Sequence, residues 1–195
     1  SLLGVHLPST IGIGHTRWAT HGEPSDRNAH PHLSASGRIS MIHNGIIENY
    51  TQIKKELESK GYHFKSDTDT EVLVHLIEDV QQNTGVALDE AVRLALQEVV
   101  GAYAIVIISK NDPTKMIGAR KGSPMVVGIG EDGEYFIASD ATPIVEHTKN
   151  VVYLNDEEIA LITRGGELNI KSIQNIQKPY SIQELEIQIE MLEKG

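Results

Sequence analysis

Three short polar runs hold the residues best suited to chemistry. They are His15-Thr16-Arg17-Trp18-Ala19-Thr20-His21-Gly22, then His43-Asn44-Gly45-Ile46-Ile47-Glu48-Asn49, then Ser66-Asp67-Thr68-Asp69-Thr70-Glu71. The guanidinium of Arg17 is a planar fork that pairs bidentately with a carboxylate, such as the α-carboxylate of an amino acid. Asn44-Gly45 has two readings. Both residue types tolerate φ > 0, so the pair alone is a strong hairpin-turn signal. The same pair could instead stabilise an oxyanion, because the Asn carboxamide donates and a Gly N–H approaches a reacting carbonyl without hindrance from a Cβ. Asp69 stands where a helix should begin, so an N-terminal helix charge or cap explains it without any ligand.

Six of the nine histidines fall within the first 43 residues: His6, His15, His21, His30, His32 and His43. Neutral imidazole is a common metal ligand and His30-x-His32 could chelate. However, no His-Glu-x-x-His helix accompanies the pair, and the segment is proline-containing loop, so no metal or other cofactor is expected. There is no cysteine, which excludes disulfides and thiolate metal sites.

The elements that must position these residues can be outlined from periodicity. Residues 10–15 and 38–43 read as short strands, separated by loop chemistry over residues 22–36. Asn49 and Gln52 suggest a capping box opening a helix that buries Ile53 and Leu57 and closes at Gly61. A second helix begins near Asp69, with Val72, Leu73, Leu76, Ile77 and Val80 at helical spacing. A third runs from about Leu88 to Val99. Residues 102–108 form an apolar, β-branched run, as in a strand covered on both faces. Further strands are expected at 125–129, 135–138, 151–154, 159–163 and 167–170, with turns at Asp132-Gly133 and Gly165-Gly166. Ser181 and Glu184 suggest a capping box for a tail helix carrying Ile182, Leu185, Ile189 and Leu192. Helices and strands in separate blocks indicate an α+β fold.

The chain has 195 residues and a net charge of −10, with 17 Lys and Arg scattered along it. That balance argues against nucleic acid, which needs a basic stripe, and against anionic membranes. No apolar run approaches the ~18 residues of a spanning helix, and residues 1–6 lack the pattern of a signal peptide. The cytoplasm is the expected compartment.

Taken in order, the three runs together with Asn28-Ala29-His30-Pro31-His32 resemble the glutaminase domain of the glutamine:fructose-6-phosphate amidotransferases, the glucosamine-6-phosphate synthases. Other class II amidotransferases share shorter versions of the same motifs. The continuation Trp18-Ala19-Thr20-His21-Gly22, Ile46-Ile47-Glu48-Asn49, Gly122-Ser123-Pro124 and Phe136-Ile137-Ala138-Ser139-Asp140 favour this branch. The resemblance extends over about residues 12–163. It implies an N-terminal-nucleophile fold, a four-layer α/β/β/α sandwich of mostly antiparallel sheets, here lacking the N-terminal strand. The chain would be a single partial glutaminase domain over 1–195, with its core at about 10–172. Residues 173–195 would be a tail helix leading toward an absent sugar isomerase domain.

The resemblance also implies site roles. Arg17 would bind the α-carboxylate of L-glutamine and Asp69 its α-ammonium, with Asp67 left solvated. Trp18, Thr20 and His21 would line the pocket, and Asn44 and Gly45 would form the oxyanion hole. The family's nucleophile is an N-terminal cysteine thiolate with the α-amino group as base, so a chain without cysteine is expected to be inactive by itself; the alternatives are a non-catalytic glutamine-binding module and a His-rich metallohydrolase. Ser1 lies only 14 positions before His15 and is not expected to replace the cysteine. The full-length enzyme is expected to be a homo-oligomer.

Overall fold

The computed structural model describes residues 9–16 and 22–185 of the 195. Two antiparallel sheets form its centre. Among the described residues the larger has seven strands: β1 (His32–Leu33), β2 (Ile39–Ile47), β3 (Gly101–Ser109), β4 (Asp112–Lys121), β8 (Glu158–Thr163), β9 (Asn169–Ser172) and β10 (Gln177–Lys178), adjacent in that order. The smaller has the order β11 (Gln183–Glu184), β7 (Asn150–Tyr153), β5 (Val126–Ile129), β6 (Tyr135–Ala138). Three helices, α1 (Tyr50–Ser59), α2 (Asp69–Thr84) and α3 (Leu88–Glu98), form the layer against the larger sheet. No described helix is long and apolar enough to cross a membrane.

Side-chain alternation along β3 creates two cores. Tyr103, Ile105 and Ile107 point toward the helices and join Met41, Ile47, Leu73, Ile77 and Leu96. Ala104 and Val106 point the other way and pack with Val127, Val152, Leu154 and Ile162 between the sheets. Each such aliphatic side chain taken out of water contributes roughly 1.5–3 kcal/mol. The expected continuous apolar strand is therefore present, and its lack of polar alternation follows from its having no wet face. On the outer face of the smaller sheet, Val126, Val151 and Ile144 form a small third cluster. There the described residues supply a run of turns over 142–147. The α+β sandwich of mostly antiparallel sheets is the fold observed.

Several local expectations change once partners are known. Residues 11–16 enter no ladder, although Ile13 packs against the inter-sheet core. Pro113, Lys115 and Gly118 disguise strand β4 in the sequence; a Cβ on Gly118 would meet Met125 Sδ at 3.0 Å, so the methionine would have to shift. Asn49 stands at the N-cap of α1 but makes no capping bond. Its carboxamide instead donates to the Glu98 carbonyl at 2.8 Å and accepts from Val100 N–H at 3.0 Å, clamping the α3–β3 link. The tail helix expected from Ser181 is not seen at its start. Gln183 and Glu184 are extended and pair with Val151 and Asn150, and residues from 186 onward lie outside the description.

Helix α2 departs furthest from an ordinary amphipathic pattern, since its residues from Asp69 through Asp79 are all buried. Its polar side chains hold the surrounding loops. Glu71 accepts from the Lys65 and Ser66 amides at 2.8 and 2.6 Å. Glu78 accepts from Ser34 Oγ at 2.7 Å and from the Ser36 amide and hydroxyl. Burial pushes the Glu78 carboxyl up, but the Ser36 and Ser34 hydroxyls outweigh it and hold it below the usual range. These bonds tie the loop after β1 and the loop after α1 to one helix.

Candidate functional site

Asn44 and Gly45 lie inside β2, not in a turn. The antiparallel ladder runs unbroken through them, with Asn44 opposite Ala104 and Gly45 opposite Tyr103, as far as Ile47 opposite Gly101. The permissive backbone of Gly45 is nevertheless used. Its φ is +126°, and a Cβ there would run into the Ala102 carbonyl. Gly101 is at +129°, with the Ile46 carbonyl in the same relation. The Asn-Gly chemistry that suggests a hairpin thus supplies a close, left-handed backbone approach within a strand pair.

Strand alternation sends His43 toward the helices and Asn44 toward the smaller sheet. Asn44 is exposed on a cleft of about 590 Å³, together with His15, Ile42, Val106, Met125 and Ile137. That volume is in the range of small-molecule sites. Opposite Asn44, Ala104 is small enough to leave the cleft open. Nε2 of His15 lies 2.7 Å from Asn44 Oδ1. The His15 ring stacks on His30 with centroids 4.4 Å apart. His30 Nδ1 accepts from the His43 amide at 3.3 Å, and His43 Nδ1 meets Thr70 Oγ1 at 3.0 Å. The clustered histidines therefore form a chain from α2 through the larger sheet to the cleft. Among the described residues no three His, Asp or Glu side chains are grouped so as to hold a metal ion.

Asp69 is the first residue of α2, and Thr68 is the N-cap, accepting from Glu71 N–H at 3.3 Å. The Asp69 carboxylate is buried and accepts from the Ile47 amide at 2.8 Å, two residues beyond Gly45. Asp67 is half-exposed and paired with Arg27, which holds its carboxyl below the usual carboxylate range. Of the two aspartates, then, Asp69 is the buried one and Asp67 the solvated one. Gly45 and Asp69 are not among the residues lining the cleft beside Asn44. Arg17, Trp18, Thr20 and His21 lie outside the described residues.

Two contributors leave no local trace in the sequence. The contact of His15 with Asn44 spans 29 positions. Asn28, nearly fully buried, donates to the Glu23 carbonyl at 3.0 Å and accepts from the Asp67 amide at 3.0 Å. It joins the segment that follows Gly22 to the start of α2. A buried, hydrogen-bonded Asn in a polar loop has no periodicity to reveal it.

A family model described as a glutamine amidotransferase domain matches residues 3–178. Glutamine–fructose-6-phosphate aminotransferase (isomerizing) of Chlorobaculum tepidum is 56% identical over 192 residues, covering 98% of this chain and 31% of that protein. The enzyme of the same name from Bacteroides thetaiotaomicron is 57% identical over 189 residues, covering 97% and 31%. This chain therefore spans about a third of the length of these curated relatives. Among solved structures, glutamine phosphoribosylpyrophosphate amidotransferase from B. subtilis, complexed with ADP and GMP, superposes with a TM-score of 0.65 at 29% identity, covering 82% of this chain and 34% of that one. A structure described as the allosteric regulatory enzyme of purine biosynthesis gives 0.68 at 31% identity, covering 83% and 35%. The fold is thus the α+β sandwich of the N-terminal-nucleophile amidotransferases. By its sequence and its fold, this chain belongs to the glutamine amidotransferase family.

Proposed function

We propose that this chain is the glutamine-binding, ammonia-releasing domain of a glutamine–fructose-6-phosphate aminotransferase, and that its 195 residues alone do not turn glutamine over. One observation carries the reading: Asn44 is exposed on a cleft, and the next residue of the strand, Gly45, has φ +126° and leaves no room for a Cβ against the Ala102 carbonyl. Such a pair suits two donors converging on a carbonyl oxygen as it gains negative charge. Arg17 pairs with the α-carboxylate of L-glutamine and Asp69 with its α-ammonium, while Trp18, Thr20 and His21 shape the pocket.

In the complete reaction, a cysteine thiolate attacks the side-chain amide carbon and a tetrahedral oxyanion forms. Its collapse breaks the C–N bond, releases ammonia and leaves a glutamyl thioester. Water then cleaves the thioester to glutamate and restores the thiol. Asn44 and Gly45 stabilise the intermediate in both halves, but only after a nucleophile has attacked. No thiol is present among these residues. The ammonia passes to fructose-6-phosphate at a sugar isomerase domain, in keeping with the share of the relatives that this chain spans.

The test is calorimetric titration of the purified chain with L-glutamine, alongside measurement of ammonia release. Binding that Arg17→Ala weakens, with release at background, is the expected outcome. No binding of L-glutamine by the wild-type chain would overturn the assignment of the site. Turnover that disappears in Ser1→Ala would overturn the expectation of inactivity.

A further inference from the structure

We propose that His15 is a positioning residue that sets which end of the Asn44 carboxamide faces the cleft. The inference rests on the reading of Asn44 as an oxyanion donor and adds to it a requirement that reading does not contain. A carboxamide has an accepting end and a donating end of nearly equal size, and rotation about its last torsion meets only a broad barrier. Only the NH2 end stabilises an oxyanion; the oxygen end would repel it. An exposed Asn on a strand would sample both orientations unless a neighbour chose between them.

His15 makes that choice. Its Nε2 stands 2.7 Å from Asn44 Oδ1, and an oxygen can only accept, so the ring must carry its proton on Nε2. The bond takes up the oxygen of the carboxamide. Among the described residues, nothing else engages Asn44 Nδ2, so this N–H group remains for the cleft. The His15 ring is itself held in place. It stacks within 18° of parallel on His30, whose Nδ1 takes the His43 amide, while the His43 side chain is anchored on Thr70 of α2. Residues 11–16 enter no ladder, and the stack on His30 and the bond to Asn44 help to hold His15 in place.

The experiment has two parts. In the purified chain, the tautomer of His15 is read by ¹⁵N NMR at neutral pH. The expected result is protonation at Nε2, with that preference lost in Asn44→Leu; a His15 proton on Nδ1 would overturn the proposal. In the complete cysteine-bearing enzyme, His15→Phe keeps a ring to stack on His30 but removes the donor, and His15→Gln restores a donor. His15→Phe should lower kcat for ammonia release by about 10- to 100-fold with little change in KM for glutamine. This loss is bounded by that of Asn44→Ala, about 10²–10³-fold. Adding His15→Phe to Asn44→Ala should then cost nothing further, since the two act as a unit, and His15→Gln should recover part of the rate. A drop in kcat for Asn44→Ala but not for His15→Phe would overturn this proposal and leave the oxyanion reading intact. Unchanged kcat in Asn44→Ala would sink the oxyanion reading itself. Equal losses in kcat and stability for His15→Phe, with no rescue by His15→Gln, would reduce His15 to a packing role.

Discussion

Asp69 holds the Ile47 amide in the fold and, in the proposed site, would pair with an α-ammonium; two substitutions distinguish these roles. The residue is 3% exposed and its carboxylate accepts from the Ile47 amide at 2.8 Å. Asp69→Ala removes a charge-assisted hydrogen bond and leaves that buried N–H without its acceptor, which costs about 1.5–3 kcal/mol. It also deletes a negative charge from the first turn of α2, a further loss of roughly 0.3–1 kcal/mol. The total is about 2–4 kcal/mol. Asp69→Asn retains an oxygen that Ile47 can use and loses the charge, so its cost should stay near ~1 kcal/mol. With a urea slope of about 2 kcal/mol/M, the unfolding midpoint should fall by about 1–2 M for the alanine variant and about 0.5 M for the asparagine variant. Circular dichroism followed through a urea titration without ligand measures this. Calorimetry with L-glutamine should then find binding lost in both variants, because neither retains the negative charge that pairs with an α-ammonium. If Asp69→Ala unfolds at the wild-type midpoint, the Ile47 bond does not support the fold. If Asp69→Asn binds glutamine as the wild type does, Asp69 does not recognise the ammonium.

Gly45→Ala should cost about 2–5 kcal/mol, from strain at φ +126° and the clash with the Ala102 carbonyl; a thermal midpoint equal to wild type would contradict the β2–β3 geometry. Burial holds the His75 imidazole below its ordinary value of 6.5, with Glu71 and Glu78 opposing the shift and His32 reinforcing it. The unfolded chain therefore takes up this proton at a higher pH than the folded one. Stability from keeping His75 neutral is complete above about pH 6.5 and declines as pH falls through the lower folded value. His75→Gln should flatten the urea midpoint between pH 7.5 and 5, and an equally steep fall in the variant would refute the assignment. The hydroxyl of Tyr103, 1% exposed, has no hydrogen-bond partner among the described residues, and burial drives its pKa upward. Tyr103→Phe should raise stability by about 1 kcal/mol, and a loss of that size in chemical denaturation would mean that the hydroxyl is satisfied in solution.

What the sequence determined by itself was chemical and local. The three polar runs named the family and the candidate residues, because recognition of a carboxylate or an oxyanion requires particular side chains in particular strings. Asp69 marked the start of α2, and the β-branched run marked β3, because a helix start and a strand without a wet face depend on neighbours a few positions away. Tertiary structure decided wherever the partner was distant. Asn44-Gly45 became strand instead of turn because β3, some 60 positions later, supplies its ladder. Asn49 left its capping box for carbonyl and amide groups 49 and 51 residues away. Glu71, His75, Glu78 and Asp79 look like the wet face of an amphipathic helix, yet they are buried because the loops around β1 and after α1 fold over them and satisfy or enclose each one. A polar side chain can be solvated by water or by folded backbone, and its own neighbours in sequence are the same in both cases; only the fold selects which solvent it meets.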